Sequence, residues 1–273
     1  MSARMRGVLQ TLLIVSAILP AFGAEPAVDM ALIPAGEYRM GTAEGSDGLA
    51  DEHPERLVFL HAFFLDRFEV TNQDYAAFVQ STGHRPPENN NPASTIWDGA
   101  MYPQAIAKHP VVNVSWEDAV AYCRWSGKRL PTEAEWEKAA RGTDGRRYPW
   151  GNDWSWKNAN SASYWAGQTI EFQSGADWEA FWVKGDGARL VKEKGIKGEV
   201  LTLPVGSFPD GASPYGIQDI AGNAAEWVQD WYDPNYYRSA PLSDPGGPER
   251  GAIKSMRGGS WLKPAISLRT SDR

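Results

Sequence analysis

Three stretches of the chain place apolar residues at helical spacing behind a capping signal. In EVTNQDYAAFVQSTG, Thr71 stands three residues before Asp74, and Tyr75, Phe78 and Val79 share one face ahead of Gly83. NVSWEDAVAYCRWSGKR repeats the arrangement with Ser115 and Asp118. Trp116, Ala119, Val120 and Cys123 form its apolar face, and Gly127 is the stop. In LPTEAEWEKAARG, Thr132 and Glu135 make a capping box and Gly142 ends the helix. Elsewhere the pattern breaks into aromatic, Gly-rich and Pro-rich stretches, with brief strands predicted at LVFLHAFFLD (57–66), LTLPVGSF (201–208) and MRGGSW (256–261). The apolar run from Val8 to Phe22 follows Arg4 and Arg6 and carries Gln10, Ser16 and Pro20. It is short for a membrane span and predicts a secretory signal peptide over 1–24, cleaved near Gly23 or Ala24, with an uncleaved anchor as the alternative.

Composition narrows the picture. At 273 residues, 42% hydrophobic and with 13 Trp, the chain can bury a sizeable core in one large or two small domains. Removing 1–24 takes away two arginines and no acid, moving the formal charge from −7 to −9, which disfavours nucleic acid as a partner. Cys123 is the only cysteine, so no disulfide can form within the chain, and its helical spacing reads as a small buried hydrophobe. His53, His61, His84 and His109 form no H-x-x-x-H or H-x-H pair, and neither a phosphate loop nor a G-x-S-x-G elbow occurs.

Three further stretches carry candidate chemistry. In YGIQDIAGNAAEW, Gly216 and Gly222 permit tight turns, and Asp219 and Glu226 supply hard oxygens suited to calcium; the alternative is that both acids hydrogen-bond the turn. The closing MRGGSWLKPAISLRTSDR offers Ser260, Trp261 and Arg269 as substrate-binding candidates, with Arg269 able to grip a carboxylate and Trp261 as a core residue the alternative, but no obvious nucleophile. The stretch 166–200 mixes charge with Trp178, Phe181 and Trp182, just after Trp165. It reads as a surface elaboration whose aromatics are tucked onto the domain or line a partner surface.

MALIPAGEYRMGT, DEHPERLVFLHAFFLDRFEVTNQDYAAFV, HPVVNVSWEDAVAYCRWSGKRLPTEAEWEKAARG, YPWGND, PVGSFPDGASPYGIQDIAGNAAEWVQDWY and MRGGSW occur in one order. This series resembles the formylglycine-generating enzyme, or sulfatase-modifying factor, family from about Met30 to Arg273. The resemblance implies an α+β fold: a single compact C-type-lectin-like domain over 25–273 with few short helices, short antiparallel strands and extensive loops. It also implies structural calcium on Asp219, Glu226 and the carbonyls of Gly222 and Ala224, with Asn160 beginning a second site. The family normally continues to a Gly-Phe-Arg strand, so the domain is expected to be truncated before its final strand.

The family's oxidase chemistry needs two cysteines that hold copper, and soft thiolates suit Cu(I). Counted from Ser260 by the family motif, those positions are Lys263 and Leu268, and Ala225 stands where the family carries a Trp beside the oxygen site. A copper site is therefore not supported, and no other redox metal is assigned. The resemblance leads to the expectation of a periplasmic or secreted oxidative maturation factor. It would act on a periplasmic protein, peptide or small molecule without the copper–cysteine mechanism, and without a membrane once the signal is cleaved. The alternative expectation is a non-catalytic, calcium-stapled binding or assembly module of the cell envelope.

Overall fold

The computed structural model of the protein describes residues 11–13, 16–17, 29–88, 96–197 and 200–273. The expected cleavage site lies outside them. Within the expected leader, only the backbone of Thr11–Leu13 (β1) and Ser16–Ala17 (β2) is described, running parallel to 225–227 and antiparallel to 64–65 respectively. Strand β3 (Met30–Ile33) pairs antiparallel with β6 (Phe63–Asp66), and β4 (Gly36–Met40) pairs antiparallel with β5 (Arg56–Leu60). A third sheet joins β7 (Ala225–Trp231) to β8 (Lys254–Arg257), with an irregular register between Trp227 and Trp231. Alternation decides which faces turn inward: Tyr38 and Met40 of β4 and Val58 and Leu60 of β5 are buried, while Glu37, Arg39 and Leu57 are exposed.

The three predicted helices form where their caps stand. They are α1 (Asn72–Thr82), α2 (Trp116–Trp125) and α3 (Glu133–Arg141), and Thr71, Ser115 and Thr132 each close a full capping box. Gly83 ends α1 in the left-handed region at φ 71°. Four further helices escape the sequence pattern: α4 (Ala162–Ala166), α5 (Gly175–Trp182), α6 (Asp186–Lys194) and α7 (Tyr236–Ser239).

Two strand predictions need correction. Residues 201–208 form no strand, because the Asn223 side chain takes both the N–H (2.9 Å) and the carbonyl (3.2 Å) of Leu203, and Gly206 N–H goes to Asp219. The predicted 256–261 strand stops at Arg257, since Gly258 and Gly259 adopt φ 87° and 70°. Cys123 is buried at 1% exposure, and burial pushes its thiol far above the ordinary range, so it packs as the spacing predicts.

Apolar packing divides into two main clusters. One gathers α1 and α2 with Val111, Val114, Leu201, Trp182 and Trp261; the other packs β3–β6 against Trp136, Ala139 and Ala140 of α3, with Ile217, Ile220 and Val228. Every residue of α3 is buried, including Glu133, Glu137, Lys138 and Arg141, so its charges must be met inside the fold. Glu137 accepts from Gly41 N–H (2.7 Å), Arg141 (2.8 Å), Tyr237 Oη–H (2.7 Å) and Arg257 (2.9 Å). Against the burial that would raise it, Arg257 and Arg141 hold its carboxyl below the usual range.

The remaining arginines of the closing stretch join the same system. Arg273 grips both oxygens of Glu133 at 3.0 and 2.9 Å. Arg269 grips both oxygens of Glu52 at 2.9 and 2.5 Å, and Ser271 donates to Glu52 at 2.7 Å. Arg269, expected to hold a substrate carboxylate, is 1% exposed and spends its guanidinium on Glu52 instead.

Removing one partner strands the other charge in the interior. Arg269→Met should therefore lower the unfolding free energy by about 3–5 kcal/mol in a denaturant titration, and Glu52→Gln with Arg269→Met should recover part of that. A loss under about 1 kcal/mol would place the pair outside the stabilising framework.

Asp230, 2% exposed on β7, accepts Glu133 N–H at 2.9 Å. Burial, then the charge of Glu133, pushes its carboxyl up to about 8, and burial raises Asp66 to about 6 against the pull of Lys128. Both folded values lie above the unfolded one, so the unfolded chain binds fewer protons across this window and stability falls as pH rises. In saturating calcium, the melting temperature should decline from pH 5 to pH 8, and Asp230→Asn should flatten the decline; a rise over that range would overturn the assignment.

Candidate functional site

The chain from 216 to 226 needs four left-handed positions in close succession: Gly216 (φ 75°), Asp219 (57°), Gly222 (90°) and Asn223 (54°). A Cβ on Gly222 would lie 2.3 Å from the Asn160 carbonyl oxygen, so the glycine is required by close approach as well as by φ. This winding places Asp219 and Glu226 at 5% and 0% exposure and brings them towards Glu69, at 2%, which stands just before α1.

Each acid is partly satisfied. Asp219 accepts Gly206 N–H at 2.5 Å. Glu69 accepts Asn223 Nδ2 at 2.6 Å and Ala224 N–H at 3.2 Å. Glu226 Oε2 takes the indole N–H of Trp136, while its Oε1 is buried with no partner. Among the described residues, no Lys or Arg pairs with any of the three. All three carboxyls are raised, first by burial. Asp219 and Glu226 add to the shift of Glu69, Asp219 adds to that of Glu226, and Asp219 itself reaches about 6.

Buried acids with an orphaned oxygen and no cation are what a hard cation would relieve. Among the described residues, no three His, Cys, Asp or Glu are grouped to hold a metal by side chains alone. The hard oxygens of Asp219 and Glu226, with the unpartnered Oε1 of Glu226, are donors of the kind calcium accepts.

Asn160, expected to begin a second calcium site, is tied into the loop by hydrogen bonds. Its Nδ2 donates to Leu201 O (2.8 Å) and Asn223 Oδ1 (2.9 Å), its Oδ1 accepts Trp165 Nε1 (2.7 Å), and its carbonyl accepts Asn223 N–H (2.9 Å). These bonds account for its position as the brace of the loop. Glu69 carries no strong signal of its own in EVTN, where the Thr71 cap dominates the local pattern. The signal available was an acid between Phe68 and Val70 at a strand exit.

The closing stretch docks on this loop: Gly222 N–H donates to Gly258 O (2.8 Å) and Trp261 N–H to Asn223 O (3.1 Å). Ser260 and Trp261, the expected substrate floor, are only 5% and 2% exposed. The 166–200 segment supplies the cover. Trp182 of α5 stands edge-to-face on Trp261 with centroids 5.1 Å apart and donates its Nε1 to Leu262 O at 3.0 Å. Helix α6 lies directly on that aromatic surface, since a Cβ on Gly187 would meet Trp182 at 2.5 Å and Phe181 at 2.7 Å. Lys263 is exposed, whereas Leu268 is 1% exposed and packs with Ala159 and Ala221.

Short strands, capped helices and a loop-built acidic centre under the C-terminal segment make up a single α+β domain. The chain belongs to the sulfatase-modifying factor family: the model of the sulfatase-modifying factor enzyme 1-like domain matches residues 16–273. It is 35% identical over 292 aligned residues to a formylglycine-generating enzyme of Streptomyces coelicolor, covering 91% of this chain and 86% of that protein. It is 33% identical to the inactive C-alpha-formylglycine-generating enzyme 2 of Bos taurus, over 87% of this chain and 78% of the relative. The structure of PvdO from Pseudomonas aeruginosa superposes with a TM-score of 0.65 at 25% identity, covering 89% of this chain and 86% of that one.

Truncating the covering indole tests the packing described. Trp182→Ala should cost about 3–5 kcal/mol of stability and speed amide exchange at 258–262. Unchanged exchange there would show that the insertion does not shield the floor.

Proposed function

We propose that the protein is an exported, non-catalytic member of the family, a calcium-stapled binding or assembly module of the cell envelope. The observation that carries this reading is the covered floor: Trp182 seals Trp261, and the positions matching the family's cysteines hold an exposed Lys263 and a buried Leu268. A thiolate pair cannot be replaced by an ammonium and an isobutyl group. The name of the Bos taurus relative is in keeping with loss of activity on this scaffold.

In this reading calcium is held by Asp219, Glu226 and the carbonyls of Gly222 and Ala224. It neutralises the buried acids and fixes the loop on which the closing stretch rests. The export signal over 1–24 directs the chain to the periplasm or beyond. The second reading, an oxidative maturation factor acting on a periplasmic protein or small molecule, draws on relatives named as formylglycine-generating enzymes.

Purified protein separates the two. The module reading expects calcium without stoichiometric iron or copper, and no oxygen uptake with a cysteine-containing sulfatase peptide or with a periplasmic extract. Stoichiometric redox metal together with oxygen consumption would overturn it.

The calcium assignment has its own test. A metal bound only by the folded state adds about 2.7 kcal/mol at a hundredfold excess over Kd, so chelation should lower the melting temperature by about 5–10 °C. Glu226→Gln should lower it by a similar amount and abolish the response to chelator; an unchanged wild-type melting temperature in chelator would refute the site.

A further inference from the structure

Away from the acidic loop, at the far end of β7, a cavity of about 430 Å³ opens between α2, the β7–β8 pair and the 246–248 loop. Its wall is built on the cross-strand pair Trp231 and Lys254, which stand opposite each other in the register. Trp116 from α2 completes it, its ring fixed by donation of Nε1 to Val228 O at 2.9 Å. The Lys254 ammonium lies between the two indoles, 4.0 Å from the Trp116 centroid and 3.9 Å from that of Trp231, and donates to Gln229 O at 2.9 Å. Indole faces attract cations. Here the chain's own lysine fills that place, so the cavity presents a positive charge.

The remaining charges around the cavity sharpen the point. Lys128 is held by Asp66 at 2.7 Å, and Arg129 by Glu135 through two bonds of 2.7 Å. Arg124, exposed at the rim, takes part in no ion pair among the described residues, and Lys254 has no carboxylate at bonding distance. Of the acids, Asp230 is 2% exposed, and burial, then Glu133 beside it, raises its carboxyl to about 8. Asp230, and after it Glu117, exposed on α2, act on Lys254 through their fields, against the burial that lowers its ammonium. Val120 and Leu130 supply the apolar part of the lining.

We propose that this cavity binds a small organic anion: a flat apolar body against the indole edges, Val120 and Leu130, with a carboxylate or similar anionic group answering Lys254 and Arg124. The volume falls in the range of small-molecule sites, and a few placed charges in an apolar wall are how such sites orient a ligand. The cavity is separate from the acidic loop and the covered floor, so it stands whether or not the module reading holds.

The test uses naphthalene-2-carboxylate as probe and its uncharged carboxamide as control, titrated calorimetrically into the intact protein. One saturable site should take the carboxylate about tenfold more tightly than the amide, the worth of one charge-assisted contact. Arg124→Ala and Lys254→Met should each remove most of that preference. Arg124, at the rim, should leave the melting temperature unchanged and so carries the test if Lys254→Met fails to fold. Absence of saturable binding, equal affinity for acid and amide, or an undiminished preference in Arg124→Ala would each overturn the proposal.

Discussion

The fold depends on exchanging buried charge across long sequence distances. Arg257, Arg269 and Arg273 from the last strand and the tail meet Glu137, Glu52 and Glu133 from the first half of the chain, and each guanidinium also caps backbone carbonyls. In a domain with short strands and long loops, few ladders fix where the tail runs. The two-bond grips of Arg269 on Glu52 and Arg273 on Glu133 provide that direction, because bidentate pairs fix angle as well as distance. Their desolvation is costly, and the offsetting gain exists only when all partners are present. Arginines that resemble a substrate grip in the sequence are therefore the pins that bring the C-terminal segment home.

Once pinned, that segment closes over the acidic loop. The loop is the one place where buried carboxylates gather without an arginine or lysine among the described residues, and Glu226 keeps an oxygen with no donor. Asn223 and Asn160 hold it from both sides, so the positions of Gly258 and Trp261 follow from the loop's winding. The inserted hairpin then adds its indole on the outside. Loop, tail and insertion form one packed sequence of dependencies, and the family's floor becomes an interior surface.

A good deal of this was legible beforehand. Thr71, Ser115 and Thr132 announced three helices because capping is local: one hydroxyl, one amide and one carboxylate within a turn. The ordered motifs gave the family, and the spacing around Asp219 and Glu226 gave the acidic loop. The helices of the insertion were less legible: Ser174 and Asp177 form a local cap at the start of α5, but α6 has no side-chain cap, and both helices also rest on aromatic contacts with the domain. Residues 201–208 looked like a strand by composition, but their backbone groups were claimed by a side chain from twenty residues downstream.

The sequence by itself determined what short-range chemistry can dictate: helix starts, glycine turns, a single cysteine at Cys123, and the acids available to a cation. Only the tertiary structure decided which charges are spent and which are left over. Arg269 and Asn160 are consumed inside the fold, Glu69 enters the acidic centre, and Lys254 sits between two indoles. The physical reason is that a charged or polar side chain acts through whatever stands within a few ångströms of it, and that neighbour is set by packing between residues far apart in the chain.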